Sequence, residues 1–166
     1  MKRTIFFMLL TVFTIATGLN ISAQIADFNG TWRIDRTKSI LMEYTPVLVR
    51  IDVKISGDSL LTERYYDTGN GQEYPFTENV TLDGKEHAIT IYEMPRKTKA
   101  SWSEQDGLLI LESTTTFTGA AGVQDFISKE SWKVDKTTNT ITISCKNKVG
   151  TGEFEGAFIL NKVVSN

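Results

Sequence analysis

From Val47 the chain alternates. Val47, Val49, Ile51, Val53 and Ile55 hold one parity; Leu48, Arg50, Asp52 and Lys54 hold the other. Period two is the mark of a strand with one apolar and one mostly polar face. Ser56-Gly57-Asp58-Ser59 interrupts it with a cluster of turn formers, and then the pattern restarts. Read this way, strands are predicted over residues 31–35, 47–55, 60–66, 76–82, 85–92, 97–103, 108–117, 126–134, 140–146 and 156–163, about ten in all. Asp83-Gly84 is the strongest short hairpin signal, with Asp106-Gly107 and Asn70-Gly71 behind it, because these residues tolerate positive φ. Residues 39–44, just before Pro46, allow one turn of helix at most. A run of consecutive hairpins is best closed on itself, since closure removes exposed strand edges. The expected fold is therefore all-β: a single antiparallel up-and-down barrel of about 8–10 strands. A two-sheet sandwich is the alternative.

The N-terminus follows a different rule. Lys2 and Arg3 precede an uncharged apolar run from Thr4 to Leu19, and Ile21-Ser22-Ala23 offers a small residue for cleavage. These are the parts of a secretory signal peptide. The run is short of the ~20 residues that a retained span needs. Residues 1–23 are thus expected to be an export signal, and residues 24–166 one barrel domain that is secreted or periplasmic, with no stable membrane span once the signal is removed. Loss of the signal takes two of the 18 basic residues and none of the 20 acidic ones, leaving a net charge of about −4. A mildly acidic chain is not built to coat nucleic acid. One cysteine excludes an intramolecular disulfide framework, and one histidine beside it excludes a zinc site made of Cys and His alone.

Three Trp-bearing segments echo each other: Thr31-Trp32-Arg33-Ile34-Asp35, Ser131-Trp132-Lys133-Val134-Asp135 and, in part, Ser101-Trp102. Their spacing is irregular, so they read as strands that each bury a Trp rather than as a repeat. The stretch Asp27-Phe28-Asn29-Gly30-Thr31-Trp32 resembles the Gly-x-Trp first strand of lipocalins and intracellular fatty-acid-binding proteins. Lys38-Ser39, Leu82-Asp83-Gly84-Lys85, Ser101-Trp102 with Asp106-Gly107-Leu108-Leu109-Ile110, Glu130-Ser131-Trp132 with Asn139-Thr140-Ile141-Thr142-Ile143, and Leu160-Asn161-Lys162 are similar to secreted bacterial lipocalin-like proteins. The resemblance implies a calycin-type barrel. It also implies that Trp32 packs at the closed end beneath a cation of the last strand, for which Lys162 is the match.

Such a barrel is expected to hold a small hydrophobic or amphipathic ligand in its lumen. The candidate lumen residues are Tyr65, Val80, Ile91, Trp102, Leu109, Phe126, Trp132 and Phe158, with Trp102 the favoured reporter. Arg64, Arg96 and Lys99 are candidates to meet a carboxylate head near the rim. The alternative is a filled barrel that serves as an interaction or envelope-structural module. An integral outer-membrane barrel is disfavoured by the lack of aromatic girdles at the strand ends. No catalytic motif, cofactor fingerprint or metal site is expected, and the chain is not expected to be an enzyme. His87 reads as a surface residue, Cys145 as a small buried hydrophobe, and Asp67, Asn70 and Glu73 as solvated turn residues rather than calcium ligands. Glu63, Glu112 and Glu130 would form an acid–base pair only if two of them met.

Overall fold

The fold is seen in a computed structural model that describes residues 24–43 and 45–164. The segment assigned to the export signal, residues 1–23, lies outside the described residues, as do Tyr44, Ser165 and Asn166. Ten strands follow one another: β1 (Gly30–Ile34), β2 (Val47–Ser56), β3 (Ser59–Asp67), β4 (Glu73–Thr81), β5 (Asp83–Ile91), β6 (Met94–Ser103), β7 (Leu108–Gly119), β8 (Gly122–Asp135), β9 (Thr140–Val149) and β10 (Gly152–Lys162). They form one antiparallel sheet in the order β4-β3-β2-β1-β10-β9-β8-β7-β6-β5. The sheet is rolled into a nearly closed up-and-down barrel, with β1 pairing β10 through Trp32–Lys162 and Ile34–Leu160.

Consecutive β4 and β5 are the two ends of that sheet, and no ladder joins them. This corrects the reading of Asp83-Gly84 as a hairpin turn. The pair instead sits in a register shift of β5 against β6, between Asp83 and Glu86. The chain turns at Leu82, whose N–H bonds to Asp58 O in the β2–β3 turn at 2.8 Å. Side chains span the seam instead. At its base His87 Nε2 accepts the Thr81 N–H at 3.1 Å. Halfway up, Glu78 of β4 meets Arg96 and Thr98 of β6. At the top Tyr92 donates its hydroxyl to Pro75 O at 2.5 Å.

A bulge corrects the alternation of β2. The register shifts between Leu48 and Arg50, so Leu48 is buried in the core and Val49 reaches a shallow outer cleft beside Arg33 and Asp67. Residues 39–43 are not helical. Ile40 bridges Ala157 of β10 in both directions, at 2.8 and 2.9 Å, lengthening the seam above the short β1. Gly156 permits this approach: a Cβ there would lie 2.7 Å from Ile40 O and from Met42 Cγ. One helical turn, at residues 24–26, leads Phe28 under the barrel.

The closed end is packed. Phe28, Trp32, Ile51, Leu60, Leu109, Leu111, Trp132, Ile141, Ile143 and Leu160 are all at most 2% exposed. Trp32 donates its indole N–H to Phe28 O at 2.8 Å, and Lys162 Nζ lies 4.9 Å from its ring centroid. Gly30, at φ +129°, has the end of the Lys162 side chain 3.0 Å from where a Cβ would stand. A side chain there would displace the cation. The outer face carries an aligned row, Lys99, Glu112, Lys129, Lys146 and Glu155, all exposed. Charges around the waist are the inverse of the outward apolar band of a membrane barrel.

Candidate functional site

The upper half of the lumen holds a cavity of about 710 Å³. Its wall is two-sided. Tyr66, Tyr74, Phe76 and Ile91 on β3–β5 supply bulk, whereas Thr115, Ser128, Cys145 and Asn147 on β7–β9 are small. Phe117, Phe126 and Phe158 complete the apolar surface, and Met42 of the β1–β2 loop closes it from the side of β10.

Charge forms the floor. Arg64 is fully buried and gives both Nη atoms to the Glu130 carboxylate, at 2.7 and 3.0 Å. Trp132 Nε1–H donates to the same carboxylate at 2.8 Å, and its ring lies 5.1 Å from the guanidinium carbon. Beside this pair, Arg96 donates to Glu78 from Nε at 3.0 Å and from Nη2 at 3.4 Å. Arg96 also bonds Thr115 Oγ1 at 3.2 Å, and Thr98 donates to Glu78. Phe76 packs against both guanidiniums, at 5.9 and 5.6 Å. Two positive and two negative groups therefore cancel. Burial pushes the Glu130 carboxyl up, but Arg64, Arg96 and the Trp132 N–H outweigh it and hold it below the ordinary glutamate value. Cys145 also lines the cavity, and burial pushes its thiol well up, keeping it protonated and unreactive.

Of the residues expected in the lumen, Ile91, Phe126 and Phe158 line the cavity. Val80, Leu109 and Trp132 are buried in the packed core that includes Trp32. Trp102 lies there too, half-buried and edge-on to Phe28 at 6.0 Å. Tyr65 faces outward, with the Arg50 guanidinium 3.5 Å over its ring. Strand parity corrects Tyr65: Leu60, Thr62, Arg64 and Tyr66 share the inner face of β3, so Tyr65 belongs to the outer one. Arg64 and Arg96 are floor residues rather than rim cations, and Lys99 stands on the outer wall. Phe76, Phe117, Tyr66 and Asn147 were missed, although parity with Glu78, Thr115, Arg64 and Cys145 places each of them.

The remaining candidates are scattered. Glu112 faces out onto Lys129 at 2.7 Å while Glu130 faces in, so these two carboxylates do not share a site. Asp67 Oδ1 accepts the N–H groups of Gly69 and Gly71, and its Oδ2 meets Arg36 at 2.9 Å, which leaves it occupied by turn and ion pair. Among the described residues no cluster of His, Cys, Asp or Glu is arranged to hold a metal ion. A scan against protein-family models finds no match to this chain, and a search of curated proteins finds none either.

Proposed function

We propose that this chain is an exported lipocalin-like barrel that binds a small hydrophobic or amphipathic molecule in its lumen. The observation that carries the reading is the cavity itself, about 710 Å³ walled mainly by aromatic and aliphatic side chains. Ligand pockets fall between ~300 and 1,000 Å³, are mostly apolar, and carry a few fixed polar groups. An apolar chain entering this space leaves water at a gain of roughly 25 cal/mol per Å². Binding rather than catalysis is the expected role. The lumen carboxylates are spent on guanidiniums, and the one lumen thiol is held protonated. The Lys2-Arg3 segment and the apolar run after it support export.

A native mass spectrum of the protein purified without detergent tests the reading first. An adduct of lipid mass that organic extraction releases is the expected result. The stripped protein is then titrated with fatty acids, fatty alcohols, sterols and quinones. A ligand that binds the folded state raises the melting temperature by mass action. If no adduct appears and no compound moves the melting temperature or the Trp emission, the barrel is an interaction module instead.

A further inference from the structure

We infer that the molecule held in this lumen carries a rigid, planar, conjugated ring system, of the kind found in quinones and fused aromatics, and that saturated lipids are the poorer ligands. This rests on the binding reading above and names its ligand class. More than half of the described aromatic side chains line this one cavity. Tyr66, Tyr74 and Phe76 stand on β3 and β4, Tyr92 on the β5–β6 turn, and Phe117, Phe126 and Phe158 on β7, β8 and β10. The three Trp residues and Phe28 belong instead to the packed end. Tyr66, Tyr74, Phe76, Phe117 and Phe126 line the inside of the barrel and are yet only half-buried, so part of each stays open to the cavity.

The pairing of these rings is incomplete. Aromatic side chains gain from offset-stacked or edge-to-face neighbours at centroid distances of roughly 4.5–7 Å, beyond what their buried area supplies. Phe28 and Trp102 make such a pair at the packed end, at 6.0 Å. In the cavity Tyr66 and Phe76 stack at 5.8 Å with their planes 1° apart, and Phe126 tilts against Phe154 at 6.2 Å. Among the described residues, Tyr74, Tyr92, Phe117 and Phe158 have no such ring neighbour. An inserted ring completes an arrangement of this kind. The parallel planes of Tyr66 and Phe76 also give it a direction, because a ring stacked on either is aligned with both. Aliphatic wall is scarce by comparison: Ile91 is the one branched aliphatic side chain among the lining residues. An alkyl chain would lose many rotamers on entry, whereas a fused ring system has none to lose.

The test compares phenanthrene with perhydrophenanthrene, the same carbon skeleton flat and conjugated or puckered and saturated, on the stripped full-length protein. Phenanthrene emission reports its binding, and its displacement reports binding of the saturated partner. Each affinity is divided by the compound's own partition from water into an alkane, which removes the difference in hydrophobicity. On that scale phenanthrene is expected to lead by about tenfold, the worth of one or two ring contacts. Phe117→Leu and Phe76→Leu are each expected to weaken phenanthrene about threefold to tenfold and to leave perhydrophenanthrene within about twofold. Equal scaled affinities, or variants that weaken both compounds alike, overturn the ring inference and leave the binding reading standing. So does a protein that binds 1-dodecanol or perhydrophenanthrene but not phenanthrene. If none of the three binds, both readings fall together. The wild-type comparison decides the matter even if neither variant folds.

Discussion

The two halves of the barrel use the same strands and the same alternation, yet one is solid and the other hollow. Below the Arg64–Glu130 and Arg96–Glu78 pairs, Trp32, Trp132, Leu109, Ile141 and Ile143 meet across the axis, and Phe28 plugs the end. Above them the inward positions of β7–β9 still carry Phe117 and Phe126, but the others are the short Ser113, Thr115, Ser128, Cys145 and Asn147. These short ones do not reach Tyr66, Phe76 and Ile91 on the far wall. The lesson is that a barrel interior is opened by the size of its inward side chains, layer by layer. The buried ion pairs mark where large residues give way to small ones on that wall.

The comparison is broken most directly by truncating one aromatic in each half. Trp32→Ala should cost about 3–5 kcal/mol, through lost transfer energy and a cavity that the packed end cannot collapse. Phe126→Ala borders space that is already empty and should cost about 1 kcal/mol, within the ordinary range for a single substitution. Urea melts measure both. Equal costs would mean that the upper half is as well packed as the lower.

The ion layer comes next. Glu130→Gln leaves the Arg64 guanidinium buried without its counter-charge and should destabilise by about 3 kcal/mol or more. Replacing both partners, Arg64→Met with Glu130→Gln, should recover much of that loss. A double variant no better than the single one would mean that the layer is held by contacts other than the pair.

Acid sharpens the same point. The Glu130 carboxyl titrates below its ordinary value of 4.5 in the folded state. Its contribution to stability is therefore fully present above pH 4.5 and is lost as the pH falls through the lower folded value. The acid-denaturation midpoint should shift, and the steepness over that window should fall, in the Arg64→Met, Glu130→Gln variant. An unchanged acid profile would place the acid-sensitive carboxylate elsewhere.

The smallest effect is expected at the β4–β5 seam. Tyr92 and Glu93 turn the chain with φ of 47° and 68°, a conformation that is unfavourable for both residues. Tyr92 is 58% exposed, and its hydroxyl ties the top of the seam to Pro75. Tyr92→Phe should cost about 0.5–1 kcal/mol. Amide exchange should quicken along β4 and β5 and remain unchanged along β1 and β10, where a backbone ladder holds the seam.

Much of this fold is local and was legible in the residues. Each strand's inner face follows from parity, and Gly and Asp mark several of the corners, as at Ser103–Gly107, where Gly107 N–H bonds to Ser103 O at 2.9 Å. That is enough to specify a run of about ten antiparallel strands with Trp32 and Trp132 inside. Parity fails where a bulge resets it, as at Leu48 and Val49, because one inserted residue flips every side chain before it. The turn chemistry of Asp83-Gly84 was legible, but its use was not. Positive φ serves a hairpin or a register shift equally well, and only the position of β6 decided between them. The site was least legible of all. Arg64 and Glu130 are 66 residues apart, and each alone reads as a surface charge. Burial of a charge is decided by whether a distant strand brings it a partner, and that depends on the closed barrel. Away from the β2 bulge, the sequence alone determined which residues share a face; the tertiary structure decided which face is the inner one and how far each side chain reaches across the axis, and so where the lumen is filled and where it is open.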